Sequence, residues 1–104
     1  MVTGIRLKSL CKNMGKKLAA AGHASRVAIL YLLAHRPMKL REISENIDLP
    51  ENLVAHHVQV LSSCGWIRKR KQGTKQYYEL KKRPFTDIKQ FIEATPFGRT
   101  KESE

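Results

Sequence analysis

Acidic residues, cysteines and long apolar runs are all scarce in this chain. Nine Asp and Glu stand against 20 Lys and Arg among 104 residues, for a formal net charge of +11. The few acids are scattered along helix surfaces and form no carboxylate cluster suited to acid–base work. There is no Gly-rich phosphate loop and no nucleophile motif, so neither an enzyme nor a cofactor is expected. Two cysteines, Cys11 and Cys64, are too few for the disulfide framework of a small secreted domain. Both are expected as free, partly buried thiols. The longest apolar run, Val27 to Ala34, is too short to cross a bilayer, and no secretory signal precedes it. The expected location is the cytoplasm, at the nucleoid, with no membrane partner.

What is abundant is positive charge, and it is unevenly placed. Residues 1–26 hold six Lys and Arg and no acid, and residues 66–83 hold eight against one acid. The segments 27–65 and 84–104 each carry three basic residues against four acids. Two cationic blocks separated by a near-neutral stretch suit a surface that follows phosphates better than they suit a solubility coat or acidic lipid. A chain of this length makes one domain, taken here as residues 1–96 with a flexible tail at 97–104. Its core is modest, so pairing with a second copy would help it.

The pattern of apolar residues is mostly helical. Ile5, Leu7, Leu10, Cys11, Met14 and Leu18 predict an amphipathic helix over 5–21 with a basic face, ended by Gly22. A second helix is expected from Ala24 to about His35. It is apolar on all sides from Val27 to Ala34, which predicts a surrounded, central position. Pro37 closes it, and Met38-Lys39 suit a short edge strand. Leu40, Ile43 and Ile47 put one apolar stripe on a third helix, 40–47. Asp48 and Leu49 make a turn. Pro50 suits the first position of a fourth helix, 51–64, where its missing N–H costs nothing, and Glu51 favours the positive end of the helix dipole.

On that fourth helix Val54, Val58 and Leu61 share a face flanked by Leu53 and His57, while Asn52, Ala55, His56, Gln59 and Ser63 lie opposite. Gly65 ends it as the residue after the cap. Trp66 to Gln72 and Lys75 to Leu80 then read as two strands joined at Gly73-Thr74, with Trp66 anchoring their base. Pro84 breaks the strand. Phe85 to Ala94 makes a last helix with Phe85, Ile88, Phe91 and Ile92 on one side. Helix, turn, helix and basic hairpin in this order predict a mainly α (α+β) winged helix-turn-helix, with a two-stranded wing over 66–82 and additional N- and C-terminal helices.

That fold assigns roles. The small, polar face of helix 51–64, with Pro50, Glu51, Asn52, Ala55, His56, Gln59 and Ser63, suits a DNA major groove about 12 Å wide. Asn52 and Gln59 can pair with adenine, and His56 can donate to a purine or a phosphate. His57, at the edge of the apolar face, is expected to pack with a hydrogen-bonded ring nitrogen. Arg68, Lys69, Arg70, Lys71 and Lys75 are expected on phosphates, or with one Arg in the minor groove, and Thr74, Gln76 and Tyr77 near the wing tip are candidate backbone contacts. Lys16, Lys17 and Arg26 either extend this footprint or form a solvated face. Ile5, Leu10, Met14, Phe85, Ile88 and Phe91 offer an apolar surface for a homodimer, which would favour an inverted-repeat operator on double-stranded DNA.

At this point the sequence resembles the ArsR-type winged-helix repressors over residues 23–82. Ser25-Arg26-Val27-Ala28-Ile29-Leu30 is similar to that family's R-x-x-I-L helix. Leu53-Val54-Ala55-His56-His57-Val58-Gln59-Val60-Leu61 is similar to its V-S-H-H-L-x-x-L recognition helix. Gly65-Trp66-Ile67-Arg68-Lys69-Arg70 with Gly73-Thr74-Lys75-Gln76-Tyr77-Tyr78 is similar to its wing. The resemblance implies a dimer built from the first and last helices, operator binding, and release by a signal. The family's metal-site residues are missing. Leu40 to Leu49 contains no Cys, and the last helix has Asp87 and Glu93 but no His. His56 and His57 point about 100° apart on a helix, whereas zinc needs three or four converging ligands. No metal is expected, and no effector is specified.

Two other readings compete with a sequence-specific repressor. The high charge suits a low-specificity architectural DNA binder, separable by the ratio of specific to random-DNA affinity. A winged helix can also bind RNA, but only Tyr77 and Tyr78 offer stacking surfaces.

Overall fold

The computed structural model describes residues 4–96. The expected tail at 97–104 lies outside the described residues. The elements run α1 (Gly4–Ala21), α2 (Ala24–Leu33), α3 (Leu40–Ile47), α4 (Glu51–Ser63), β1 (Ile67–Gln72), β2 (Lys75–Leu80) and α5 (Arg83–Glu93). This is a winged helix-turn-helix with a helix added at each end. No helix among the described residues is long and apolar enough to cross a membrane.

The helix-turn-helix follows from its end chemistry. The Lys39 amide donates to the Glu42 carboxylate at 2.9 Å, and Arg36 donates to the other oxygen at 3.0 Å. The amide first and then Arg36 hold the Glu42 carboxyl below the usual carboxylate range. Asp48 ends α3 in the left-handed region at φ 55°, a conformation that a short polar side chain tolerates. The Leu49 amide then donates to the Ser44 carbonyl, and the chain reverses. Pro50 is extended, with ψ 148°. Its carbonyl accepts from the Leu53 and Val54 amides, both at 3.1 Å. Pro50 therefore caps α4 from outside, one residue earlier than expected, and Glu51 takes the first helical position.

The end of α4 aims the wing. Trp66 N donates to the Leu61 carbonyl at 2.9 Å and Gly65 N to the Ser62 carbonyl at 3.1 Å. With Gly65 at φ 82°, these two bonds form a Schellman motif. Cys64 is thus the cap of α4, and the strand begins at Ile67, one residue after the expected Trp66. β1 and β2 pair antiparallel from Ile67↔Leu80 to Gln72↔Lys75. The Gly73-Thr74 turn needs the positive φ of 64° that Gly73 supplies. Met38 adds a single bridge to Tyr78, with amide–carbonyl distances of 3.0 and 2.8 Å.

The core gathers Ile29 and Leu33 of α2, Ile43 of α3, Val54, Val58 and Leu61 of α4, and Trp66, Ile67 and Tyr78 of the wing base. Burial of the α2 residues is one-sided. Val27 is 54% and Tyr31 67% exposed, so the expectation of a surrounded helix is corrected. The described elements cover α2 on one face only, and an apolar sequence cannot bring in a layer that the fold does not contain. The helix also stops at Leu33, with Ala34 as cap. Cys11 is exposed, not partly buried, while Cys64 is half-buried, and both are free thiols. The last helix starts at Arg83, not Phe85, because Pro84 fits its first turn, where no amide is needed. It ends at Glu93 with Ala94 as cap.

Trp66 joins the wing base to both terminal helices. Its indole N–H donates to the Lys17 carbonyl of α1 at 2.6 Å, and its ring meets Phe85 of α5 edge-on at 5.1 Å. Lys17 also reaches Asp87 of α5 at 3.4 Å. A second joint ties α1 and α2 to α4. Arg26 Nε donates to His57 Nδ1 at 3.1 Å, and its Nη1 donates to the Ala20 carbonyl at 3.2 Å. Arg26 is therefore neither a free phosphate contact nor a solvated face, as the sequence reading had offered. His57 is buried with a bonded ring nitrogen. Accepting at Nδ1 requires a neutral ring protonated at Nε2.

Two outcomes are expected. Trp66→Phe removes the indole donor and should lower stability by about 0.5–1.5 kcal/mol; urea unfolding with an unchanged midpoint would contradict this. The second concerns pH. Burial first, then His23, Arg26 and His56, hold His57 below the ordinary histidine pKa. A depressed folded value means that the unfolded chain takes the proton more readily. The stabilisation from neutral His57 is complete above the unfolded pKa of about 6.5 and is lost as pH falls towards the folded value. Between about pH 7.5 and pH 5.5, the melting temperature of the wild type should fall further than that of His57→Gln.

Candidate nucleic-acid interface

α4 presents its two sides differently because its period is helical. Val54, His57, Val58 and Leu61 face the core. Asn52, His56, Gln59 and Ser63, spaced four, three and four residues apart, form one exposed stripe, and Pro50 and Glu51 at its start are also exposed. Ala55 beside the stripe is half-buried, so its small side chain leaves the face flat. The Ser63 hydroxyl donates back to the Gln59 carbonyl at 2.9 Å, which leaves the Gln59 amide group unused by that bond. Leu53 is exposed as well, placing an apolar side chain at the start of the polar stripe.

Strand alternation splits the wing cations into two sets. Ile67, Lys69 and Lys71 pair with Leu80, Tyr78 and Gln76, the side on which Ile67 and Tyr78 are buried. Arg68, Arg70 and Gln72 pair with Glu79, Tyr77 and Lys75 on the other. Arg68, Lys69, Arg70, Lys71, Thr74 and Lys75 are all exposed, and Gln76 is half-buried with its amide donating to the Tyr78 hydroxyl at 3.3 Å. The five cations are thus brought onto one hairpin but not onto one face. The sequence reading also passed over Lys81, Lys82 and Arg83. With Arg68, Glu79 and Leu80 they line a shallow cleft at the wing base. The density of basic residues after Leu80 was the available signal.

The two interface elements leave one corner of the core, because only Cys64, Gly65 and Trp66 lie between α4 and β1. The residues expected to pair two copies sit away from the polar stripe, on the terminal helices. Ile5 is 87% exposed. Leu10 and Phe85 are exposed, whereas Met14, Ile88 and Phe91 are half-buried. Among the described residues, no group of three or more His, Cys, Asp or Glu side chains is placed to hold a metal ion.

Comparison with known proteins agrees with this architecture. The family model described as sugar-specific transcriptional regulator TrmB matches residues 28–83. Over 57 residues the chain is 35% identical to the HTH-type transcriptional regulator KmtR of Mycobacterium tuberculosis, covering 55% of this chain and 44% of KmtR. The chain therefore spans less than half the length of that relative. An ArsR-like transcriptional regulator from Rhodococcus sp. RHA1 superposes with a TM-score of 0.74 at 18% identity, over 80% of this chain and 78% of that one. The homodimeric winged helix-turn-helix DNA-binding domain Mb0332 from Mycobacterium bovis gives a TM-score of 0.71 at 20% identity, over 98% and 97% of the two chains. At these identities the two structures speak to fold. The family match runs from α2 through the wing, and the chain belongs to the TrmB family of transcriptional regulators, carrying a winged helix-turn-helix DNA-binding domain.

Proposed function

We propose that this regulator acts as a homodimer on a specific inverted-repeat operator and represses transcription by occupying it. The observation that carries the reading is the exposed stripe of Asn52, His56 and Gln59 on α4, directly preceding a hairpin with five exposed cations. α4 enters the major groove, where Asn52 and Gln59 make paired hydrogen bonds to adenine and His56 donates to a purine or a phosphate. The wing cations sit on phosphates and fix the register without reading sequence. Residues 1–96 work as one unit. Within it, α1 and α5 pair through Ile5, Leu10, Met14, Phe85, Ile88 and Phe91, as the homodimeric state of the Mycobacterium bovis neighbour supports. Two-fold pairing sets the recognition helices about 34–36 Å apart, one DNA turn. A seated dimer represses by blocking the promoter, with no further surface required.

A second reading, low-specificity architectural binding, draws support from the cations beyond the stripe, Lys81, Lys82 and Arg83 at the wing base. Selection of bound fragments from random DNA separates the two. An enriched inverted repeat is expected, and no enrichment would move the assignment to the architectural role. On the enriched site, replacing Asn52, His56 and Gln59 by Ala should cost about 1–3 kcal/mol of discrimination for each real base contact and leave random-duplex affinity nearly unchanged. Affinity should fall with salt at a log–log slope of about −0.9 per phosphate neutralised. Sedimentation of a monomer at micromolar concentration would overturn the dimer.

A further inference from the structure

The wing carries a single acid, placed where its cations are densest. Counting outward from the Gly73-Thr74 turn, Arg68 pairs with Glu79 and Arg70 with Tyr77 on the same face. The Glu79 side chain is only 14% exposed, and both of its oxygens are engaged. Arg68 Nε donates to one oxygen at 2.7 Å, and Arg70 Nη1 lies 3.5 Å from the other. One carboxylate therefore holds two guanidiniums side by side, each still largely open to solvent. Among the described residues, Lys69, Lys71 and Lys75 form no ion pair with an acid.

The arginine ends of both pairs are exposed, so the pairs add only modestly to stability. On a ribbon that meets phosphates it is also a repulsive charge. Its clearer effect is on the arginines. A long cationic side chain is ordinarily free to sample many rotamers, and it loses that freedom on binding. A guanidinium already held in place loses less when its partner sits where it points, and gains nothing from phosphates elsewhere. Preorganisation of this kind favours one geometry of duplex over the average one.

We infer that Glu79 is a positioning residue that sets the wing's discrimination between duplexes, by fixing Arg68 and Arg70 as an oriented pair and weakening the grip on arbitrary DNA. The inference rests on the DNA-binding reading of the wing and deepens it.

Glu79→Gln keeps the shape of the side chain and removes the charge. The variant should bind random duplex about three- to tenfold more tightly at low salt. Its log–log salt slope should steepen by about 0.9–1.8, as one or two freed arginines neutralise further phosphates. Affinity for the site enriched by selection should change by less than about twofold, so the ratio of enriched to random binding falls. Retained affinity for the enriched site cannot come from a misfolded chain, which separates this role from a merely structural one. Lys71→Ala with Lys75→Ala is the companion variant. If that pair weakens random-duplex binding while Glu79→Gln leaves affinity and slope unchanged, the inference is overturned and the wing reading stands. If the lysine variants also bind as the wild type does, both are overturned. Equal tightening on random and enriched DNA overturns the positioning role, because charge removal alone then accounts for it.

Discussion

The arrangement depends on Trp66. Its amide closes α4 through the Leu61 carbonyl, and its own carbonyl accepts from the Lys81 amide where β2 ends. Its indole N–H holds α1 through Lys17, and its ring edge meets Phe85 of α5. One nearly fully buried residue, through its backbone and its side chain together, thus connects α4, both ends of the wing and the two terminal helices. A small domain has few apolar contacts to spend on orientation. Directional bonds at a single buried junction set the angle between α4 and the hairpin more tightly than general packing would. If α1 and α5 pair two copies, the same residue transmits the dimer geometry to the DNA-binding elements.

Much of the fold was legible because its signals are local. Leu40, Ile43 and Ile47 repeat at helical spacing and bury one face. Gly65 and Gly73 occupy positions of positive φ that their neighbours could reach only with strain. The polar stripe on α4 was equally plain, since Asn52, His56 and Gln59 are what remains once Val54, Val58 and Leu61 turn inward. What escaped notice was tertiary. The apolar run of α2 promised burial, but burial needs a neighbour on each side, and Val27 and Tyr31 have none among the described elements. Arg26 looked like a surface cation until His57, 31 residues away, supplied an acceptor. Pro84 marks the end of a strand and equally fits the start of a helix, and only the observed backbone separates the two.

The wing shows a middle case, in which the information was present but needed a second step. A count of cations treated Arg68 to Lys75 as one patch. A two-residue turn at Gly73-Thr74 already implied that Arg68 faces Glu79 across the strands and that Lys69 lies on the other side. Register, once fixed by a turn, converts a list of charges into two faces. The distinction matters physically, because a paired guanidinium and a free ammonium meet a phosphate from different starting states.

Electrostatics also explains how the core tolerates a cation beside histidines. Among the described residues Arg26 has no acidic partner, and its bonds go to a carbonyl and a neutral imidazole. Such an arrangement leaves the charge in place and engages its Nε and Nη1 donors. It asks that His57 stay uncharged, which burial and the surrounding His23, His56 and Arg26 all favour. A carboxylate there would hold Arg26 more firmly, but it would also put negative charge on the helix proposed to face the duplex. With a net charge of +11, the free protein repels itself, and a duplex relieves that repulsion wherever it contacts the cationic surface. An uncompensated arginine behind the recognition helix is therefore consistent with a structure whose balance of charge is completed by the nucleic acid.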